Sequence, residues 1–260
     1  MRVYMRSELL HIYGPFSIHS YGLFIIIGLI AFVEFIKRDK RFIRLGIEKK
    51  LNSIIMVGAA IGLLGGRLLY IITEQNQWCL ADICAFWNGG YSVLGGVVAL
   101  ALFEPLYLRY CKIPILPFAD IIGIYAPLLL AISRLGCYVA GCCYGIPTTS
   151  WLGVYYSDTS CLAPLGIRLH PTQLYSAALL FAIFLLFYGL LRNIFQRPGQ
   201  LFFCYLAFQG SERFIVDFWR ADRLLFSGMP WVSLHQLIAI GLMATGIIGF
   251  FAVSRRNRAS

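Results

Sequence analysis

Charged side chains are scarce in this 260-residue chain. Asp, Glu, Lys and Arg make up 13% of it, where soluble domains carry about 25%. With 59% hydrophobic residues and a mean hydropathy of +0.74, that scarcity excludes both an ordinary soluble domain and a disordered chain. Acidic residues are rarer still, 12 against 22 basic ones. A leading apolar h-region is also missing. Met1 to His19 carries Glu8, His11, His19 and two arginines, so no cleavable signal peptide is expected. No histidine or paired C-x-x-C framework completes four zinc ligands, so no metal and no cofactor are expected. Low-complexity tracts, a strong internal repeat and a second soluble domain are absent from the pattern as well.

What remains is long apolar runs. They predict an all-α, polytopic membrane protein of about seven spans. The runs are Ser20–Ile36, Leu51–Ile72, Tyr91–Tyr110, Phe118–Ile132, Leu174–Leu191, Leu201–Ile215 and Leu234–Val253. The fourth and sixth are short. Over residues 1–260 the pattern reads as a single membrane-embedded domain, with an irregular outer cap at about 134–171. Pro147, Gly153, Pro164 and Gly166 fall in that cap, and Leu152–Tyr156 reads as a short strand. Lys37, Arg38, Lys40, Arg41, Arg44, Lys49 and Lys50 crowd the first loop, whereas Thr73–Gly90 has no Lys or Arg. The positive-inside rule then places the N-terminus outside and the C-terminus in the cytoplasm. The net charge of +10 is topological charge facing anionic lipid, and no nucleic-acid partner is expected. Cys79, Cys84, Cys137, Cys142, Cys143 and Cys161 fall on the outer side, where a Cys79–Cys84 or a Cys142/Cys143–Cys161 disulfide could persist.

Four constellations could carry chemistry. Arg67, Arg134, Arg213 and Arg220 offer guanidinium forks that match phosphate oxygens and stay charged in a low-dielectric pocket. Arg213, Asp217 and Arg220 are spaced i, i+4 and i+7, which would put them on one helical face. Asp217 bridging the two arginines as structural glue is the other reading. Arg134 lies in Ser133–Gly145, where Gly136, Gly141 and Gly145 are expected to bar a continuous helix. His170-Pro171-Thr172-Gln173-Leu174-Tyr175 opens the fifth span; His170 is either a proton carrier or a capping, hydrogen-bonding side chain. Asn88–Gly96, with two glycine pairs, suggests a tightly turned backbone beside a cavity, with a re-entrant loop as one form of it. His19-Ser20-Tyr21-Gly22 opens the first span, where an aromatic belt also accounts for Tyr21.

In this order the pieces resemble the prolipoprotein diacylglyceryl transferase family, from about Tyr13 to Gly249. His19–Gly22 matches its H-x-Y-G, Gly65–Tyr70 its G-[AG]-R-L-x-Y, and His170–Tyr175 its H-P-[ST]-Q-L-Y in full. Gly89–Gly96 echoes G-G-x-S-x-H-G-G, and Ser133–Gly145 echoes G-R-x-G-N-F-x-N-x-E-x-x-G. Gly210–Arg220 meets G-x-x-R-F-x-x-E-x-x-R with Asp217 in the acidic place. The resemblance implies an enzyme of the bacterial inner membrane that moves the diacylglyceryl group of phosphatidylglycerol onto the lipobox cysteine of a prolipoprotein, releasing glycerol phosphate. Its partners would be phosphatidylglycerol, the prolipoprotein signal-peptide/lipobox region and membrane lipid. The resemblance assigns catalysis to Arg134, Arg213, His170 and Tyr21, and substrate binding to Arg67, Arg134, Arg213, Arg220, Asp217, Gly95, Gly96 and Gly145. The chain departs from the family where Leu94 stands for a histidine, Cys137 and Ala140 for asparagines, Cys142 for a glutamate and Ser133 for a glycine. A relative that binds phosphatidylglycerol with another acceptor or without catalysis, and a membrane thiol–disulfide oxidoreductase, are the competing readings.

Overall fold

The computed structural model describes residues 2–3, 8–13, 16–74, 90–158, 161–226 and 229–255. Its helices are α1 (Ser20–Lys37), a short α2 (Lys40–Leu45), α3 (Leu51–Glu74), α4 (Val93–Tyr110), α5 (Ile115–Ala140), α6 (Thr172–Leu186), α7 (Gln200–Asp217) and α8 (Leu234–Arg255). A π-helical turn, Phe187–Leu191, carries α6 on to a last turn, Arg192–Ile194. Among the described residues, six helical stretches are long and apolar enough to cross a bilayer. The other expected span, α7, has 18 residues but carries Gln209, Ser211, Glu212, Arg213 and Asp217. Only Ile215 along it is exposed, so this helix is hidden among protein neighbours. About seven spans thus become six apolar helices and one polar, protein-facing helix, in a multi-pass membrane protein.

The chain divides into two compact units. One comprises Met1–Ile12, Ser17–Arg38 and Ala119–Ser260; the other comprises Tyr13–Phe16 and Asp39–Phe118. In the second unit, α3 and α4 touch through backbone. A Cβ on Gly95 would stand 2.5 Å from the Leu69 Cβ, and one on Gly96 would stand 3.0 Å from the Gly62 carbonyl. Small residues are what permit such an approach in a membrane, where dispersion contacts replace the hydrophobic effect. Ser92 caps α4, its hydroxyl accepting from the Gly95 N–H at 3.4 Å. The expected re-entrant loop is therefore, from Ser92 onward, a capped regular helix. Asn88 and Gly89 lie outside the described residues.

In the first unit, α5 corrects the short span Phe118–Ile132. It runs 26 residues to Ala140, so Arg134, Gly136 and Cys137 are helical. Gly136 does not break it: a Cβ there would lie 2.8 Å from the Phe24 Cβ of α1, so this glycine serves helix contact. The chain turns only at Gly141 and Cys143, whose φ values are 68° and 58°. Asp120 of α5 caps α7 from a distance, accepting from the Gly199 and Phe202 N–H groups at 2.7 and 2.8 Å. The sheets are small. In the cap, β2 (Val154–Tyr156) lies between β1 (Arg2–Val3), parallel, and β3 (Arg168–Leu169), antiparallel. The strand expected at Leu152–Tyr156 is thus present over three residues. Val154, Tyr156, Ala163 and Leu169 form its buried core.

Candidate functional site

The His170–Tyr175 motif works as a clamp on the turn that follows α5. The Thr172 hydroxyl donates to the Cys143 carbonyl at 2.7 Å. The Gln173 amide donates to the Cys142 carbonyl at 2.6 Å and to the Tyr156 hydroxyl at 3.0 Å. Both side chains are buried, so these bonds are made where water cannot replace them. His170 Nδ1 lies 3.0 Å from the Tyr175 hydroxyl; the hydrogen-bonding role foreseen for it is present, and Nε2 remains for other use. Gly145 stands at a crossing. Its N–H donates to the His170 carbonyl at 3.0 Å, the next N–H, of Ile146, donates to Trp219 at 2.9 Å, and Ala221 donates to Tyr144 at 3.2 Å. A Cβ on Gly145 would lie 2.6 Å from the Trp219 carbonyl and 2.7 Å from that of His170. The segments that follow α5 and α7 are thereby joined.

Those arginines do not share one helical face. α7 ends at Asp217, and Arg220 lies beyond it, forking onto Asp222 through Nε at 2.7 Å and a terminal nitrogen at 2.5 Å. The expected bridge from Arg213 through Asp217 to Arg220 is therefore corrected. Asp217, fully buried, instead accepts from the Ser233 hydroxyl at 2.5 Å. Arg223 lies 3.3 Å from it, and Arg213 and His235 lie 3.8 Å away. Glu212 takes the Ser176 hydroxyl and feels the charges of Arg134, Arg213 and Arg220 together. Arg134, Arg213, Arg220 and Arg223 thus face Glu212, Asp217 and Asp222, leaving one formal positive charge. Among the described residues Arg134 makes no hydrogen bond and no ion pair. It is half-buried. A guanidinium held near the end of an apolar helix, with no direct hydrogen bond or ion pair among the described residues and in a cluster with one cation in excess, suits an anion from outside. Tyr21 lies near Ser133 and feels the Arg134 charge, and Arg213 feels the charges of Arg134 and Arg220, so the structure brings Tyr21, Arg134, Arg213 and Arg220 to one place.

Three thiols share it. The Sγ atoms of Cys137, Cys142 and Cys143 lie within 4.8 Å of one another. Every described cysteine is free, so the expected Cys142/Cys143–Cys161 disulfide is not formed. Cys79 and Cys84 lie outside the described residues. Hydrogen bonds with Cys137, then between themselves, drive Cys142 and Cys143 apart in acidity. Cys142 is pushed up; Cys143 is pulled down, helped further by the Arg220 charge.

Arg67, Gly95 and Gly96 belong to the second unit. Arg67 is buried, donates to the Gly90 carbonyl at 3.1 Å, and lies over the Tyr70 and Tyr91 rings at 5.8 and 5.9 Å. Leu94, in the first turn of α4, is exposed. Sequence reasoning missed Ser176, Asp222, Arg223, Ser233 and His235. The charge-rich composition of Arg220–Ser233 was the available signal for most of them, but only the folded chain shows which charges meet.

Comparison with known proteins agrees with this architecture. The family model described as Prolipoprotein diacylglyceryl transferase matches residues 7–252. The chain is 33% identical over 254 residues to the phosphatidylglycerol–prolipoprotein diacylglyceryl transferase of Clostridium tetani, covering 95% of this chain and 97% of that protein. It is 35% identical to the enzyme of that name numbered 2 in Clostridium perfringens, covering 94% of each chain. The Geobacter sulfurreducens protein is 32% identical, again over 94% of each.

Proposed function

We propose how this chain, which belongs to the prolipoprotein diacylglyceryl transferase family, carries out its reaction. It is a transferase that moves the diacylglyceryl group of phosphatidylglycerol to prolipoprotein. Arg134 and Arg213 grip the lipid phosphate. The acceptor is the lipobox cysteine thiol: its sulfur bonds to the glycerol carbon as that carbon's bond to the phosphate oxygen breaks. The phosphodiester monoanion leaves as glycerol phosphate, with one more negative charge. Guanidiniums fixed beside it therefore bind the transition state more strongly than the ground state, which is what accelerates the step. Tyr21, beside Arg134, orients the headgroup, and His170 offers Nε2 to the thiol proton. Arg220, its fork on Asp222, and Asp217 hold the two gripping arginines in place. Gly145 keeps the His170 and Trp219 segments together, and Arg67 with Gly95 and Gly96 binds lipid on the second unit, taken by itself.

The observation that carries this site is Arg134, which has no internal hydrogen-bond or ion-pair partner among the described residues. The basic run between α1 and α3 supports an N-terminus outside and a C-terminus in the cytoplasm of the bacterial inner membrane. The test is complementation of a strain depleted of its own transferase, with mass spectrometry of the lipobox cysteine. Rescue by the wild type, lost in Arg134→Ala and Arg213→Ala, is expected. A stably inserted wild-type protein that never lipidates a prolipoprotein contradicts the reading.

A further inference from the structure

The thiol cluster is better built than packing needs. Cys137 comes from the last turns of α5 and is buried, while Cys142 and Cys143 come from the turn beyond and are half-buried. That turn is fixed from behind: buried Thr172 and Gln173 hold the carbonyls of the two cysteines. It bends through a left-handed Cys143 with φ 58°, so both sulfurs sit on a braced backbone. The three Sγ atoms already lie within 4.8 Å of one another. A tetrahedral ion at the usual zinc–thiolate distance of about 2.3 Å wants sulfurs about 3.8 Å apart. Side-chain shifts of about 1 Å or less close that gap. The charges of Arg134 and Arg220 act on this cluster and would offset the net negative charge of three thiolates around a divalent ion. No fourth His, Cys, Asp or Glu belongs to the group among the described residues. Structural zinc sites close with four protein ligands, whereas three ligands with one open position is the arrangement of reactive sites.

We propose that Cys137, Cys142 and Cys143 hold one zinc ion whose open fourth position takes the acceptor thiol of the prolipoprotein as a thiolate. The proposal rests on the transfer reading given above and adds to it the means of activating the acceptor. Coordination replaces the S–H bond by a sulfur–zinc bond and releases the proton to His170 or water; a coordinated thiol is deprotonated at neutral pH. The metal-held sulfur forms the S–C bond to the glycerol carbon, and the C–O electron pair departs with the phosphate. The thioether product is a weak ligand and dissociates, leaving the zinc as it was. No electron is gained or lost, so no oxidant or reductant is needed. An ion in this role supplies a thiol activation that Leu94, an alkane side chain, cannot.

The test uses the purified full-length protein in lipid nanodiscs, stripped with a chelator and titrated with Co(II) as a spectroscopic stand-in for zinc. One cobalt per chain with thiolate-to-cobalt charge-transfer absorption is expected. That absorption should weaken in each of Cys137→Ser, Cys142→Ser and Cys143→Ser, and stay unchanged in Cys111→Ser and Cys204→Ser, which control for handling and folding. A lipobox peptide should strengthen it, and the same peptide with serine for cysteine should not. Stripping should slow transfer by about 100-fold, with recovery on adding zinc. Absence of cobalt binding overturns the proposal, as do bands that survive all three substitutions or a spectrum indifferent to the peptide thiol. Full-rate transfer by verified metal-free protein overturns it too, and leaves the transfer reading standing. Failure of transfer from phosphatidylglycerol by metal-loaded and stripped protein alike is the separate result that counts against the transfer reading itself.

Discussion

At one edge of the polar cluster Asp217 is surrounded: a serine hydroxyl at 2.5 Å, Arg223 at 3.3 Å, and Arg213 and His235 at 3.8 Å. At the other edge Arg134 has no internal hydrogen bond or ion pair among the described residues. Both edges bring charge into an apolar fold, and the contrast separates two uses of it. A buried carboxylate with several cations holds α7 to the β4 (Met229–Ser233) and α8 segments that follow. Removing one partner from such a group leaves uncompensated charge, so it is costly to break. A guanidinium with no direct internal ion pair contributes little to the fold and is available to a ligand. Arg213 belongs to both edges: its one ion pair is long, and it faces Arg134 and Arg220.

The contrast can be broken most forcefully at Asp217. Asp217→Asn should destabilise the protein by about 3–5 kcal/mol, read as a lowered melting temperature in detergent; an unchanged melting temperature would deny Asp217 its structural role. Gly145→Ala comes next. The added Cβ must push apart the Trp219 and His170 carbonyls, at about 1–3 kcal/mol, with accelerated hydrogen exchange across residues 144–148 and 168–170 as its signature. Thr172→Val removes one buried hydroxyl from the Cys143 carbonyl and should cost about 1–3 kcal/mol. It should also raise the reactivity of Cys142 and Cys143 toward a maleimide as their turn loosens. The smallest effect lies at Asp222. Burial pushes its carboxyl up, but hydrogen bonds and charge from Arg220 bring it net below its ordinary range. Its contribution is therefore present above the unfolded carboxylate pKa of about 3.9 and is lost as pH falls through the lower folded value. Asp222→Asn should lower the melting temperature slightly at neutral pH and converge with the wild type in acid, which flattens the acid limb of the profile.

Much of the fold was legible because crossing a bilayer demands about 20 apolar residues, and such runs stand out. The helix ends were not. Glycine reads as a helix breaker, yet Gly136 stays helical because Phe24 fills the space its side chain would take. The end of α7 was equally hidden, and with it the partner of Arg220: an i, i+7 spacing has meaning only while the helix continues. The His170–Tyr175 motif was visible as a pattern, but its partners lie 29 and 31 residues away at Cys143 and Cys142. Sequence could name Thr172 and Gln173 as polar and could not say that they brace the cysteine turn. The cysteines themselves suggested disulfides because an oxidising side was inferred, whereas those among the described residues are free, and Cys137, Cys142 and Cys143 are clustered.

The most direct test of the account is Arg134→Ala, measured as transfer from phosphatidylglycerol vesicles to a lipobox peptide, together with its melting temperature. The account predicts a rate about 10²–10³-fold lower with a melting temperature within a degree or two of wild type, about the shift expected when no internal partner is lost. Wild-type transfer by a normally folded Arg134→Ala protein would contradict the claim that this arginine grips the lipid phosphate.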